Sequence, residues 1–454
     1  MTFLGASMLS GISAQVSPLQ VDTLKETKIP DQWDLQSCID YAKEQNITIR
    51  KNRITAASTQ IDVKTAKAAM FPSLSFSTGQ QVVNRPYQET SSRVSGSEII
   101  SSNSKTSYNG NYGLNASWTL YNGNKRLKTI QQEKLNNQMA ELDVATSENN
   151  IQESIAQVYI QILYAAESVK VNENTLQVSI AQRDRGQELL NAGSIAKSDL
   201  AQLEAQVSTD RYQLVTAQAT LEDYKLQLKQ LLELDGENEM NIYLPTLSDE
   251  NVLAPLPTKR DVYISALSLR PEIEASKLNV EASELGINIA KSSYFPTISL
   301  SAGIGTNHTS GSDFTFGEQV KNGWNNSIGL SVSVPIFNNR QTKSAVQKAK
   351  LQYETSMLSL LDEQKALYKT IESLWLDANS AQQRYAAANE KLKSTQISYE
   401  LISEQFNLGM KNTVELLTEK NNLLQAQQEQ LQAKYMAILN TQLLKFYQGD
   451  QLAL

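Results

Sequence analysis

The chain has 454 residues, 41 Lys+Arg against 48 Asp+Glu for a net charge of −7, one Cys and one His. Cys38 has no partner for a disulfide or a Cys-rich metal site, and His308 alone cannot supply a multi-His metal centre or a His-based triad. No Walker loop or Rossmann glycine fingerprint is present, and the acidic balance argues against nucleic-acid binding. The composition thus points away from an enzyme, a bound cofactor or a metal centre.

In chain order, residues 1–14 come first, a short apolar and small-residue run ending near Ala14. The run is too short to span a bilayer and reads as the remnant of a secretory signal, although the usual basic start is missing. No Cys follows Ala14, which argues against lipid anchoring there. No later stretch stays apolar for 18 residues, so any membrane crossing must be made by strands.

Residues 33–235 and 260–448 read as two copies of one plan. Phe71-Pro72-Ser73-Leu74-Ser75 recurs as Phe295-Pro296-Thr297-Ile298-Ser299, at an offset of 224, and Asn46 to Ile49 matches Arg270 to Ile273 at the same offset. Leu114 to Asn122 then matches Leu330 to Asn338, and Leu190 to Gly193 matches Phe406 to Gly409, both at an offset of 216. A period this long is a duplication, not a solenoid. Each copy is expected to hold a helix, a strand hairpin (about 71–121 and 295–337) and a helical hairpin with its tip near 193 or 409.

The strand segments alternate. Tyr112, Leu114, Ala116, Trp118 and Leu120 interleave with Gly113, Asn115, Ser117 and Thr119; Ile298 to Ile304 and Ile328 to Ile336 do the same, and Leu74 and Phe76 open a weaker fourth segment. Small polar residues on the second face, with Phe71, Trp118, Tyr121, Phe295, Trp324 and Phe337 near the ends, match the dyad pattern and aromatic girdles of a membrane barrel. Four strands cannot close a barrel, and an open edge in lipid would leave backbone groups unpaired. Two, three or four chains would supply eight, twelve or sixteen strands, and periodicity does not choose among them.

The remainder is expected to be long coiled helix. No Gly or Pro occurs from Asn338 to Leu408 or from Met410 to Gln448. Apolar residues recur at 3.5-residue spacing through Ile151–Val169, Leu200–Leu231 and Leu367–Leu392, the second seam interrupted only by Asp210. Such a repeat implies left-handed supercoiling. Each helical hairpin should reverse at one glycine, Gly193 or Gly409, with an acid six residues on, Asp199 or Glu415, near a helix N-terminus where the dipole favours it. The segment 236–259, with Pro245, Pro255 and Pro257, reads as a linker, and 449–454 as a tail.

These motifs in their duplicated order resemble the TolC family of outer membrane efflux proteins over about Trp33 to Gln448. The resemblance implies a mainly α fold with a membrane barrel portion. In it, a homotrimer builds a 12-stranded outer membrane barrel, four strands per chain, continuing into a 12-helix periplasmic tunnel. Pro72, Pro296 and Pro335 would then sit at strand–helix junctions, where a missing N–H is tolerable. It further implies export from an inner-membrane pump and a periplasmic adaptor, with the duct embedded in outer membrane lipid and entered at the helical tips. In the family, polar links between hairpins hold the closed tip. The matching positions are Phe406 with Asp199, where Phe406 lacks the hydroxyl such a link needs, and Lys411 with Ser198 and Asp199. Of two acids expected after the second glycine, Glu415 matches and Thr418 does not. The competing reading, a trimeric coiled-coil adhesin or scaffold, explains the helices but not strand pairs at matching points of a duplication. A metal exporter using Met and His is less supported, because the Met residues are scattered and His308 reads as a surface residue of a connecting loop.

Overall fold

The structure is a computed structural model that describes residues 30–87, 91–95, 98–102, 105–235, 240–245, 252–310, 312 and 314–452. The export-signal expectation for 1–14 and the linker stretches 236–239 and 246–251 lie outside the described residues. Nine helices and six strands are described. In the first repeat these are α1 (Leu35–Gln45), α2 (Ile47–Ala68), β1 (Ser73–Asn84), β2 (Ser91–Ser95), β3 (Glu98–Ser102), β4 (Thr106–Asn122), α3 (Lys125–Asn191) and α4 (Lys197–Leu231). The second holds α5 (Lys259–Leu269), α6 (Pro271–Ser292), β5 (Thr297–Thr309), α7 (Phe316–Asn322), β6 (Asn325–Ser333), α8 (Gln341–Asn407) and α9 (Thr413–Gln448).

Four antiparallel strands form one sheet in the order β1-β4-β5-β6, with β2 and β3 as a separate hairpin. The register carries the alternation across all four. Leu74, Ala116, Ala302 and Ile328 lie in one row, and Phe76, Leu114 and Ile304 in the next, while Ser73, Ser117, Ser301 and Gly329 share the opposite face. The apolar row is exposed in the single chain, Leu74, Phe76, Ile328 and Leu330 most of all. A bulge between Thr119 and Tyr121 shifts the pairing so that Tyr121, not Leu120, stands opposite Ile298. The apolar alternation runs on to Ile336, but pairing stops at Ser333. Pro335 has no N–H to offer a ladder, which fits that early end.

α3 and α8 each have 67 residues, roughly 100 Å at ~1.5 Å per residue. Each folds back on its shorter partner, α3 on α4 and α8 on α9, while α6 packs against both α3 and α8. The two larger apolar cores sit midway along this bundle. One joins α1, α3, α4 and α9 through Trp33, Ile155, Tyr159, Leu163, Leu228 and Leu439; the other joins α5, α6, α8 and α9 through Val262, Ile273, Ile371 and Leu444. Nearby, Trp33 bridges Ile242, and Gln382 Nε2 donates to the carbonyls of Val252 (3.0 Å) and Ala254 (2.8 Å). The connecting segment is thereby bound along the helices. Among the described residues no helix is long and apolar enough to cross a membrane.

Candidate functional site

Two regions concentrate the residues singled out from the sequence, the helical tips and the corners where strands become helices. At the tips α3 and α8 end alike. Gly193 (φ +74) and Gly409 (φ +72) take the left-handed conformation. Gly193 N donates to Leu190 O and Ser194 N to Leu189 O (2.9 and 2.8 Å); Gly409 N and Met410 N donate to Phe406 O and Gln405 O (both 2.9 Å). These paired bonds are the Schellman closure, which satisfies the last carbonyls of a helix.

The returning helices begin differently. Asn412 caps α9 with a full box: its Oδ1 accepts from Glu415 N (2.9 Å), and Glu415 Oε2 accepts from Asn412 N (3.2 Å). The matching residue before α4 is Ala196, which has no acceptor, so only Asp199 contributes, accepting from Ala196 N at 3.0 Å. Lys411 pairs with Glu415 of its own tip. The hydrogen bond from Lys411, with that from the Asn412 backbone, holds the Glu415 carboxyl below the usual carboxylate range.

Within the single chain Lys411 therefore pairs with Glu415, on its own tip, and the described bonds of Ser198 and Asp199 do not include it. A lysine four residues before an acid on the same turn reaches it at less entropic cost than it reaches a separate hairpin. Phe406 is buried and Ser198 exposed. Thr418, in place of a second acid, donates to the Val414 carbonyl at 2.8 Å. Sequence reading missed that the second tip is apolar outside, with Leu408, Met410 and Val414 all exposed. Leu408 and Met410 lie in the turn, where no periodicity applies, and Val414 in the first turn of α9.

At the corners, Pro72 and Pro296 stand immediately before β1 and β5, and Pro335 two residues beyond β6. Trp118 donates its indole N–H to Met70 O at 2.7 Å, and Arg126 donates to Ala69 O at 2.8 Å and to Thr119 O. Phe71, Phe295 and Phe337 are exposed at this helical end of the sheet, with Trp118 and Tyr121 partly so. Trp324 lies at the far end, beside the start of β6.

His308 corrects the loop reading. It lies within β5 opposite Gly110, packed against Tyr108, Tyr112 and Phe316. The imidazole occupies the space where a Cβ on Gly110 would fall, so the strand runs on through Thr309. These rings form a second aromatic band that the sequence reading did not assemble.

The protomer thus joins an open four-stranded sheet, apolar on one face, through tight corners to helical hairpins about 100 Å long. The outer membrane efflux protein family model matches residues 38–233 and 262–449, and the chain belongs to this family of the outer membrane. It is 24% identical over 294 residues to the outer membrane efflux protein BepC of Brucella suis, covering 64% of this chain and 61% of that one. To the outer membrane protein TolC of Escherichia coli it is 24% identical over 296 residues, covering 63% and 58%. The chain thus aligns with about three-fifths of the length of these relatives. Its fold is similar to that of the solved channel CusC, with a TM-score of 0.77, 19% identity and 92% of each chain covered.

Proposed function

We infer that the protein is a homotrimeric outer membrane channel that exports substrates delivered by an inner-membrane pump and a periplasmic adaptor. One observation carries this reading: the sheet ends on β1 and β6, each paired on one side only, with its apolar face exposed. Unpaired backbone in lipid costs several kcal/mol per group, so copies of the same sheet must join edge to edge. Three copies supply twelve strands, the number the family resemblance implies.

From Tyr112 to Tyr121 the strand rises about 30 Å at ~3.3 Å per residue. A tilt of 35–45° lowers this to about 23 Å along the barrel axis, close to the apolar height of outer membrane barrels. The aromatics at the two ends, Phe71, Trp118, Tyr121, Phe295 and Phe337 against Trp324, then mark the two lipid interfaces. Pro72, Pro296 and Pro335 stand where the barrel turns into the tunnel. The tips, with Gly193, Ser198, Asp199, Phe406, Gly409, Lys411 and Glu415, form the entrance facing the adaptor.

Native mass measurement of the detergent-extracted protein should show a trimer, and planar bilayers should show discrete conductance steps. A folded monomer, or a trimer that conducts nothing, would overturn the channel reading; the latter is what an adhesive stalk would give.

A further inference from the structure

The hairpin α3–α4 meets the hairpin α8–α9 mainly where α9 lies on α3, with α4 touching α9 only briefly. Toward the tips, neutral links cross this seam. Ser168 Oγ donates to Gln428 Oε1 (3.0 Å), Gln182 Nε2 to the Tyr399 hydroxyl (2.8 Å) and Gln206 Nε2 to Asn421 Oδ1 (3.4 Å). Another link is ionic. Lys420 of α9 places its Nζ between Ser179 Oγ of α3 and Asp210 Oδ2 of α4. Lys420 is 3% exposed and Asp210 1%. Ser179 also donates to Asp210 Oδ2, and Gln206 Nε2 to Asp210 Oδ1 at 2.9 Å. Burial pulls the Lys420 ammonium below the ordinary lysine value, and the bond to Asp210 pushes back.

Such a pair differs in kind from the charges at the tips. Lys411 and Glu415 belong to one turn and hold nothing across the seam. Lys420 has its counter-charge without water only while the two hairpins touch, since a buried ion that loses its partner must be resolvated, whereas Asp210 keeps Ser179 and Gln206 of its own hairpin. Ser179 precedes Gly193 by 14 residues and Lys420 follows Gly409 by 11, which puts the cluster roughly 15–20 Å from the tips. The duplication does not repeat it: the equivalent positions hold Thr395, Ala426 and Glu204.

We propose that the Ser179–Asp210–Lys420 cluster is the latch that holds the second helical hairpin against the first at the closed entrance. The proposal rests on the channel reading above. Opening the entrance swings α8–α9 away from α3–α4, and Lys420 leaves Asp210 as it does so. In a trimer the pseudo-equivalent seam falls between neighbouring copies, where Thr395, Ala426 and Glu204 offer no such pair. Each protomer therefore carries one ionic seam and shares one without it.

The test uses spin labels on cysteines at Ser194 and Met410, one exposed position on each tip, with native Cys38 buried and silent. In Asp210→Asn the distance between labels should lengthen and broaden, and single-channel conductance should rise several-fold. Lys420→Met should do the same to a smaller degree, because Asp210 keeps Ser179 and Gln206. Exchanging the charges, Asp210→Lys with Lys420→Asp, should return the distance toward wild type. Unchanged distances in both single variants, with wild-type helix content, would overturn the latch, as would an exchanged pair that restores nothing. Should Asp210→Asn fail to fold, Lys420→Met and the exchanged pair decide. The distances answer even if the wild-type protein conducts no ions, a result that would sink the channel reading alone.

Discussion

The two repeats have the same skeleton and different chemistry at its joints. α3 and α8 have equal length, as do α2 and α6, and α1 and α5. Yet at the elbow before α2 the cap is Asn46, whose Oδ1 accepts from Thr48 N and Ile49 N and whose amide reaches Leu231 O. The same elbow before α6 carries Arg270, buried, bonded to Glu272 (2.8 Å) and Glu153 (3.2 Å) and lying 4.2 Å from the Tyr447 ring centroid. At the corner into α3, Arg126 ties three segments, where α8 has Thr342 bonded to Asn338. Backbone geometry has been kept through the duplication, while the side chains that stabilise it have been replaced. The lesson is that equivalent positions should fail by different amounts.

The largest asymmetry is expected at the elbows. Arg270→Ala strands two partly buried carboxylates and should cost about 3–5 kcal/mol, whereas Asn46→Ala loses a cap and one further bond, about 1–2 kcal/mol. Urea midpoints of helix loss would measure both, and equal losses would break the comparison. Next come the corners. Gly123 has φ +65, and a Cβ there would meet Ser292 O at 2.7 Å. Gly123→Ala should therefore cost about 2–4 kcal/mol. The equivalent Asn339 already tolerates a positive φ of 49°, so Asn339→Gly should be close to neutral in the same assay.

The tips should behave alike. Both glycines have open space around the missing Cβ, so Gly193→Ala and Gly409→Ala should each cost only the left-handed penalty, about 1 kcal/mol. A difference between them would show that one tip is braced by contacts the other lacks. The smallest effect belongs to Glu415. Its carboxylate is already occupied by Lys411 and the cap, so in the proposed trimer three such pairs would carry little net charge. Glu415→Gln leaves Lys411 unpaired and should lower cation preference in a salt gradient slightly, with unfolding unchanged, while Lys411→Ala leaves the acid unpaired and should raise it by a similar amount. No response to Lys411→Ala would remove this position from the pore.

Much of this was legible because long periodic segments dominate the chain. The 3.5-residue seams, the glycine reversals and the alternating strands are local patterns, and each half repeats the reading of the other. What escaped depends on distant partners. Asp210 stood out as a polar break in an apolar seam, but Lys420 sits 210 residues away among polar neighbours, and nothing local marks it. The Lys411–Glu415 pair is local, four residues apart, yet the turn between them has no periodicity to mark it. His308 looked like loop because no alternation flags a strand whose facing residue is Gly110, which is small enough to admit the ring.

The seam between β4 and β5 pairs Asn109 with Thr309, and this has a consequence for biogenesis. β1 and β4 can zip together soon after they are made, but β5 emerges only after the first helical hairpin is complete. Closing that pairing carries a large loop-entropy cost, and contacts of such sequence separation form late. The helices thus have time to assemble while the sheet is still an incomplete, sticky ribbon, the kind of species that aggregates. The order in which the chain is made therefore places its most aggregation-prone segments, the strands, last to be completed, after helices that can already pair with one another.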